Sequence, residues 1–113
     1  MSSESTTWEA GVEAIRQTFR NGNLNATVKL IFVDIGRSMY VRTSGENPEV
    51  LSDHDAPADL ELRMSLADGI KLVERKLGPR KAIMMGKLKH KGNLALAWQV
   101  ATLFDKPLPV DAR

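Results

Sequence analysis

The pattern of hydrophobic and polar positions is clearest between residues 77 and 104. Lys87, Lys89 and Lys91 alternate with Leu88 and His90, which is the period of a strand that exposes one face. Residues 94–104 have only two polar side chains in eleven and predict a helix that is apolar nearly all round. Such a helix must be surrounded by protein or by an apolar ligand, because eleven residues cannot span a bilayer, which needs about 20.

Capping residues predict where the helices begin and end. Asn93 follows a turn at Gly92 and is a suitable N-cap for the helix at 94–104. Ser65 is the predicted N-cap of a helix that ends at Leu77-Gly78-Pro79. Thr6 is the predicted N-cap of a first helix, which follows a loose tail at residues 1–5. The buried face of that first helix is predicted to consist of Trp8, Val12, Ile15 and Phe19.

Three earlier segments have the features of strands or loops. Residues 26–34 are apolar on both faces, which predicts a central strand, and residues 38–43 return as a second strand. Residues 58–65 alternate as a third strand, whereas residues 44–57 are rich in turn formers and are predicted to be mostly loop. The order of elements predicts an α/β (α+β) sandwich in which helices cover one sheet.

Length and composition are those of a globular protein of one domain. With 113 residues, the chain predicts one domain with a core at about 9–104 and tails at 1–5 and 105–113. No signal peptide opens the sequence and Asp111-Ala112-Arg113 is not a peroxisomal signal, so we expect a cytoplasmic location. The oligomeric state stays open, as does the role of the tail around Leu108 and Val110.

The second half of the chain resembles the sterol carrier protein 2 (SCP2) family. The resemblance is carried by Leu77-Gly78-Pro79, Lys81-Ala82, Gly86-Lys87-Leu88-Lys89 and Lys91-Gly92-Asn93, followed by an Ala/Leu-rich helix, and it extends over residues 9–104. It implies an SCP2-like fold with one mixed, mostly antiparallel sheet of about five strands. It also implies a hydrophobic tunnel, with no cofactor, for a fatty acid, fatty acyl-CoA, sterol or phospholipid.

The family's tunnel lies between the sheet and the terminal helix, so the resemblance implies a set of apolar contacts there. The small side chains of Ala97 and Ala101 leave room for a ligand beside the helix. The full set of predicted lipid-binding residues is Phe32, Met64, Ile70, Met84, Met85, Leu88, His90, Leu94, Ala97, Trp98 and Ala101.

Charge is unevenly distributed along the chain. Residues 46–61 contain six acidic residues and no Lys or Arg, whereas residues 71–91 contain eight Lys or Arg and one acid. Two solvated faces would explain this, and so would a basic surface that receives a phosphate, a carboxylate or an anionic membrane. The residues predicted to form a cationic rim for an anionic head group are Arg80, Lys81, Lys87, Lys89 and Lys91.

His90 departs from the family, whose members usually have an apolar residue at this position. It shares parity with Leu88 and is expected to face inward. Two interpretations stay open: a strand-end histidine that reaches a polar group or water, or a contact to the polar head of a ligand, including a role as an acid or base.

Catalytic signatures are absent from the sequence. It has no cysteine, no Gly-x-Ser-x-Gly elbow and no phosphate-binding loop, and Asp53-His54-Asp55 are three adjacent loop residues that rarely converge on one metal ion. Residues 71–91 lack Phe, Tyr and Trp, which argues against nucleic-acid binding. The sequence favours a non-catalytic lipid carrier. The alternatives are an accessory domain for a partner enzyme and a small lyase or isomerase that uses His90.

Overall fold

A computed structural model of the chain describes residues 3–20, 22, 24–44 and 47–105, with side chains described from Trp8 onward. In chain order the elements are α1 (Ser3–Arg20), β1 (Ala26–Phe32), β2 (Arg37–Thr43), β3 (Glu49–Ser52), β4 (Leu60–Met64), α2 (Leu66–Val73), α3 (Pro79–Met84), β5 (Lys89–Gly92) and α4 (Leu94–Asp105). The predicted extended segment after residue 105, including Leu108 and Val110, lies outside the described residues.

The five strands form one sheet in the order β3-β2-β1-β4-β5. β1 pairs parallel with β4, and the other neighbours pair antiparallel. The register places Leu30 of β1 between Met39 of β2 and Leu62 of β4, which makes a row of apolar side chains across one face. The predicted mixed, mostly antiparallel sheet with a central β1 is therefore confirmed.

The helices cover this apolar face and leave the other face to a loop. Ile15 and Phe19 of α1 are buried against it, and the ring of Phe19 packs edge-on against that of Phe104 in α4, with 6.2 Å between the centroids. On the opposite face, the Tyr40 hydroxyl donates a hydrogen bond of 2.7 Å to the carbonyl of Pro57 in the loop that follows β3. The inner face is therefore where the helices and the sheet enclose the core.

Two predicted caps are confirmed and one is wrong. The Ser65 hydroxyl accepts a hydrogen bond of 3.1 Å from the Asp68 amide at the start of α2. The Asn93 side chain accepts one of 3.0 Å from the Leu96 amide at the start of α4. By contrast, α1 already begins at Ser3, so Thr6 lies inside the helix and residues 3–5 are not a tail.

The region between β4 and α4 differs most from the prediction. α2 ends at Val73 and not at Leu77, because Arg75 adopts a left-handed conformation with φ of 63°. The Arg75 guanidinium donates to the carbonyls of Leu72 and Val73, which satisfies the end of the helix. Pro79 does not only stop a helix: it starts α3, since a proline needs no amide partner in a first turn.

Two strands also differ from the prediction: β3 was not predicted, and β5 begins later than expected. β3 lies in the segment predicted as mostly loop, because its four residues at an edge have no hydrophobic alternation to reveal it. β5 begins only at Lys89. It ends at Gly92, where φ is 118° and a Cβ atom would lie 2.5 Å from the Asp59 carbonyl oxygen, so glycine is required there.

Candidate functional site

The inner face of the sheet and the four helices enclose a cavity of about 590 Å³. This volume falls in the range of about 300–1,000 Å³ that is usual for small-molecule sites. The sheet contributes Leu30, Phe32, Met39, Leu62 and Met64 to the wall. The helices and connections contribute Trp8, Gly11, Ile15, Ile35, Leu66, Gly69, Ile70, Leu72, Val73, Pro79, Ile83, Leu88, Ala97, Val100, Ala101 and Phe104.

Small residues on the helices leave this space open. Ala97 and Ala101 are buried one turn apart on α4 and present only methyl groups to the cavity. Gly69 of α2 lies so close to Phe32 that a Cβ atom would be 2.7 Å from the ring. A larger side chain at Gly69 would therefore push the Phe32 ring out of its place on the cavity wall.

The cavity wall is apolar except at the end formed by the β1–β2 turn. Among the described residues, Arg37 is the one charged side chain on the wall, and it lies beside the exposed Ile35. Its Nε and Nη2 atoms donate to Oδ2 of Asp53 at 3.1 and 2.8 Å. Its guanidinium carbon is 3.8 Å from the centroid of the Trp8 ring, which is a cation–π contact.

Hydrogen bonds from several elements hold Arg37 in this position. The Asp53 carboxylate also accepts from the Ser38 amide at 3.0 Å, and the Trp8 indole donates to the Ser52 hydroxyl at 2.9 Å. The hydrogen bond from Arg37, followed by the one from the Ser38 amide, lowers the pKa of Asp53. Asp53 itself has φ of 55°, a left-handed conformation that Asp tolerates better than most residues.

The structure brings six of the predicted lipid-binding residues together on the cavity wall. They come from the sheet, from α2, from the segment before β5 and from α4, and they are Phe32, Met64, Ile70, Leu88, Ala97 and Ala101. Their common position fits the predicted site between the sheet and the terminal helix, while their contact with a lipid stays a prediction.

The other five predicted residues do not reach the cavity: Met84, Met85, Leu94, Trp98 and His90 are exposed. α3 buries Ala82 and directs Ile83 to the cavity, so Met84 and Met85 at its end face outward. On α4 each residue turns by about 100°, so Trp98 leaves the face that Ala97 occupies.

His90 lies on the predicted side of the sheet, but it is exposed there and not enclosed. The register pairs it with Leu62, so both side chains point to the helix side of the sheet. However, β5 is an edge strand with every residue exposed, and His90 is not part of the cavity wall. The expected inward position is therefore wrong, because the helix layer does not cover the edge of the sheet.

The predicted cationic rim is likewise displaced from the cavity. None of its members, Arg80, Lys81, Lys87, Lys89 and Lys91, lies on the cavity wall. The charge at the cavity is Arg37, which sequence reasoning missed. Arg37 has the same parity as Met39 and Val41, two of the buried residues of β2, and this parity was the signal that could have revealed it.

Asp53, His54 and Asp55 make separate contacts in place of a metal site. Asp53 bonds to Arg37, the His54 ring packs edge-on against Tyr40 at 4.9 Å, and Asp55 lies 3.6 Å from the Lys29 ammonium. Within residues 3–20, 22, 24–44 and 47–105, no three His, Cys, Asp or Glu side chains gather as metal ligands. Nor does any helix of that part of the chain have the length and hydropathy of a transmembrane span.

Comparisons with known proteins agree with this architecture. Residues 20–105 match the sequence profile of the SCP-2 sterol transfer family. "Non-specific lipid-transfer protein-like 1" of Caenorhabditis elegans is 32% identical over 65 residues, which are 58% of this chain and 55% of that protein. "Hydroxysteroid dehydrogenase-like protein 2" of Bos taurus is 45% identical over 49 residues, 43% of this chain and 12% of that protein.

The fold is also found in a solved structure. The crystal structure of sterol carrier protein 2 like 2 from Aedes aegypti superimposes with a TM-score of 0.69 at 18% identity, over 88% of this chain and 98% of that one. At this identity the superposition shows a common fold, while the profile match covers most of the sequence. The chain therefore belongs to the SCP-2 sterol transfer family.

Proposed function

We propose that the protein is a non-catalytic lipid carrier that holds an apolar tail in the cavity between the sheet and α4. The observation that carries this proposal is the cavity of about 590 Å³ with an apolar wall and one charged side chain. The family and the nematode lipid-transfer relative support it. A location in the cytoplasm stays a prediction from the sequence.

Burial of a hydrocarbon chain supplies enough free energy for such binding. Each methylene group removed from water contributes about 0.8 kcal/mol, so ten of them contribute roughly 8 kcal/mol before immobilisation is subtracted. A micromolar complex corresponds to about 8 kcal/mol. A fatty acid, a fatty acyl-CoA, a sterol or a phospholipid could therefore bind through its apolar part, and selectivity among them should be loose.

Arg37 is the group that we propose for contact with the polar head. Asp53 accepts from Nε and Nη2, and within the described residues the Nη1 atom makes no hydrogen bond. These remaining donors suit a carboxylate, phosphate or hydroxyl oxygen. This proposal replaces the predicted cationic rim, because Arg37 lies on the cavity wall and the five residues of that rim do not.

Native mass spectrometry of freshly purified protein, followed by solvent extraction, tests the proposal directly. We expect a co-purifying lipid that leaves the protein when a fluorescent fatty acid is added, with a stoichiometry of one ligand per chain. A mass without any adduct, together with no binding of the fluorescent fatty acid, would reject the carrier function.

A second candidate is an accessory domain that presents a hydrophobic substrate to a separate enzyme. The observation that favours it is the bovine relative, in which the matched segment is only 12% of the protein. In this case, a partner enzyme should turn over a cavity-bound substrate faster than the same substrate free in solution. The third possibility, a lyase or isomerase that uses His90, loses its basis because His90 lies outside the cavity.

A further inference from the structure

Helices α3 and α4 expose an apolar surface on their outer side. Exposed fractions are 85% for Met84, 53% for Met85, 54% for Leu94 and 40% for Trp98. In the described part of the chain, the other large apolar residues that are exposed are Val33 and Ile35 in the β1–β2 turn. We call the surface of Met84, Met85, Leu94 and Trp98 the α3–α4 face. Single exposed apolar residues are normal on protein surfaces, whereas a group of them in one place suggests an interaction site.

Contacts of Arg80 join the two helices at this surface. The Arg80 guanidinium lies 5.7 Å from the centroid of the Trp98 ring and donates to the Asp105 carboxylate at 2.6 Å. Arg80 and Met84 are one turn apart on α3, as are Leu94 and Trp98 on α4, so each pair lies along one side of its helix. The α3–α4 face is therefore one surface formed by neighbouring stripes on two helices.

The surroundings of this face are cationic and carry little compensating charge. Residues 75–104 contain seven Lys or Arg and no Asp or Glu. Lys81, Lys87, Lys89 and Lys91 form no ion pair within the described residues, whereas Arg37, Arg42 and Arg63 each lie near a carboxylate. The register pairs Lys89 with Arg63 and Lys91 with Glu61, so these two lysines point to the side of the sheet away from the helices. The other two, Lys81 and Lys87, lie near Met84 and Met85 in the sequence. Unpaired ammonium groups of this kind remain available to an external anion.

We propose that the α3–α4 face docks onto the surface of an anionic lipid bilayer. Met and Leu side chains would enter the boundary between head groups and acyl chains, Trp98 would lie at head-group depth, and the lysines would contact anionic head groups. The same two helices line the cavity through Ile83 and Ala97, so docking would place the cavity wall against the lipid. This docking is independent of what the cavity binds.

Sedimentation with vesicles tests the docking. We expect the protein to sediment with vesicles of phosphatidylcholine and phosphatidylserine, to sediment far less with phosphatidylcholine alone, and to dissociate as salt screens the charges. Lipids with bromine on their acyl chains should quench the fluorescence of the unsubstituted protein more than that of Trp98→Phe. Equal sedimentation with both vesicle types, or no loss of quenching in Trp98→Phe, would overturn the proposal.

Two substitutions with matched controls identify the face itself. A lysine near an anionic bilayer contributes about fivefold in partitioning, so Lys81→Gln with Lys87→Gln should lower it about thirtyfold. The control, Arg20→Gln with Lys71→Gln, removes the same charge from exposed positions outside the face and should have a much smaller effect. Equal losses in both double variants would mean that net charge alone attracts the protein, which would overturn the proposal.

The apolar part of the face has its own control. Met84→Asp should lower partitioning about tenfold or more, because an exposed methionine that would enter the bilayer is replaced by a charge of the same sign as the lipid head groups. Val33→Asp makes the same kind of change at an exposed apolar residue outside the face and should matter less. Binding of a fluorescent fatty acid without vesicles should be unchanged in both variants, so failure of docking and failure of the carrier function are separate results. Binding of an acidic protein with no binding to vesicles would also overturn the proposal.

Discussion

The two sides of the α3–α4 layer have different environments although their residues are neighbours in the sequence. Ile83 and Ala97 face the cavity, whereas Met84 and Trp98, each one residue later, face outward. The inner side is enclosed by the sheet, and the outer side is open. This contrast shows that residue type alone does not separate the cavity wall from the exposed outer surface, because both consist of apolar side chains.

The cavity and the outer side of the helices also differ in how their cationic side chains are held. Arg37 at the cavity is held by Asp53 and by the ring of Trp8, so its position is set before any ligand arrives. Lys81 and Lys87 on the outer side have no such partner within the described residues and keep the freedom of long side chains. A fixed guanidinium suits one head group in a defined place, while mobile ammonium groups suit a surface whose charges move.

Filling the cavity should produce the largest effect on the inner side. Ala97→Trp places an indole where a methyl group now lines the cavity, and fatty-acid affinity should fall about a hundredfold or more, because the loss of a few buried methylenes already costs that much. Overpacking would cost about 1–3 kcal/mol of stability in a filled core, and less here because the cavity offers space. Displacement of a fluorescent fatty acid measures the change.

The matched control for this variant is Gln99→Trp, which adds the same side chain at an exposed position of α4. It should bind like the unsubstituted protein. Unchanged affinity in Ala97→Trp would place the ligand elsewhere and remove the distinction between the two sides of the helix.

Removing the charge at the cavity should have the next largest effect. Arg37→Met should weaken binding of a fatty acid about tenfold, the loss expected for a hydrogen bond to a charged group, while a fatty alcohol of equal length should lose less. Arg42→Met is the control, because Arg42 lies on the same strand and pairs with Glu49 at 2.8 Å but is not on the cavity wall. Calorimetry with both ligands measures this difference, and equal losses for acid and alcohol would contradict a head-group role.

The pairing of Arg37 with Asp53 should also appear as a dependence of stability on pH. The folded pKa of Asp53 is lowered from 3.8, so its contribution is present above pH 3.8 and is lost as the pH falls through the folded value. In Asp53→Asn, the free energy of unfolding should therefore fall less on acidification. Urea unfolding at neutral and acidic pH measures this free energy. Asn tolerates the left-handed backbone at position 53, so the substitution removes the charge without adding backbone strain. An identical pH profile in both proteins would show that the pair is not formed.

The smallest change in fatty-acid affinity is expected for a substitution on the outer side of α4. Trp98→Ala should leave fatty-acid affinity within about twofold of the unsubstituted protein, because only exposed area and an exposed cation–π contact with Arg80 are lost. The displacement assay used for Ala97→Trp provides the comparison. A loss as large as that of Ala97→Trp would show that both faces of α4 contact the ligand.

Features that depend on a few neighbouring residues could be predicted from the sequence. The caps at Ser65 and Asn93 are local, since each side chain bonds an amide three residues later. The alternation of β4 and the two apolar faces of β1 identified strands whose pairing made the mixed sheet. The position of Phe32, Met64 and Ala97 at a tunnel between the sheet and the terminal helix was implied by the resemblance to the SCP2 family, and all three residues lie on the cavity wall.

Features that depend on where an element ends or lies in the fold could not be predicted. His90 has the right parity, but only the position of β5 at the sheet edge exposes it. Helix α3, which was not predicted, directs Met84 outward, although methionine is a residue type that is often buried.

The cavity and its polar end depend both on local sequence patterns and on how distant elements pack together. By itself the sequence determined most of the helices and strands, the apolar inner face and the family pattern, because these rest on local periodicity and short motifs. Tertiary structure alone decided that Arg37 of β2 pairs with Asp53, sixteen residues away, and lies against the ring of Trp8 in helix α1. The physical reason is that enclosure, exposure and charge pairing are set by packing between elements, which no local pattern encodes.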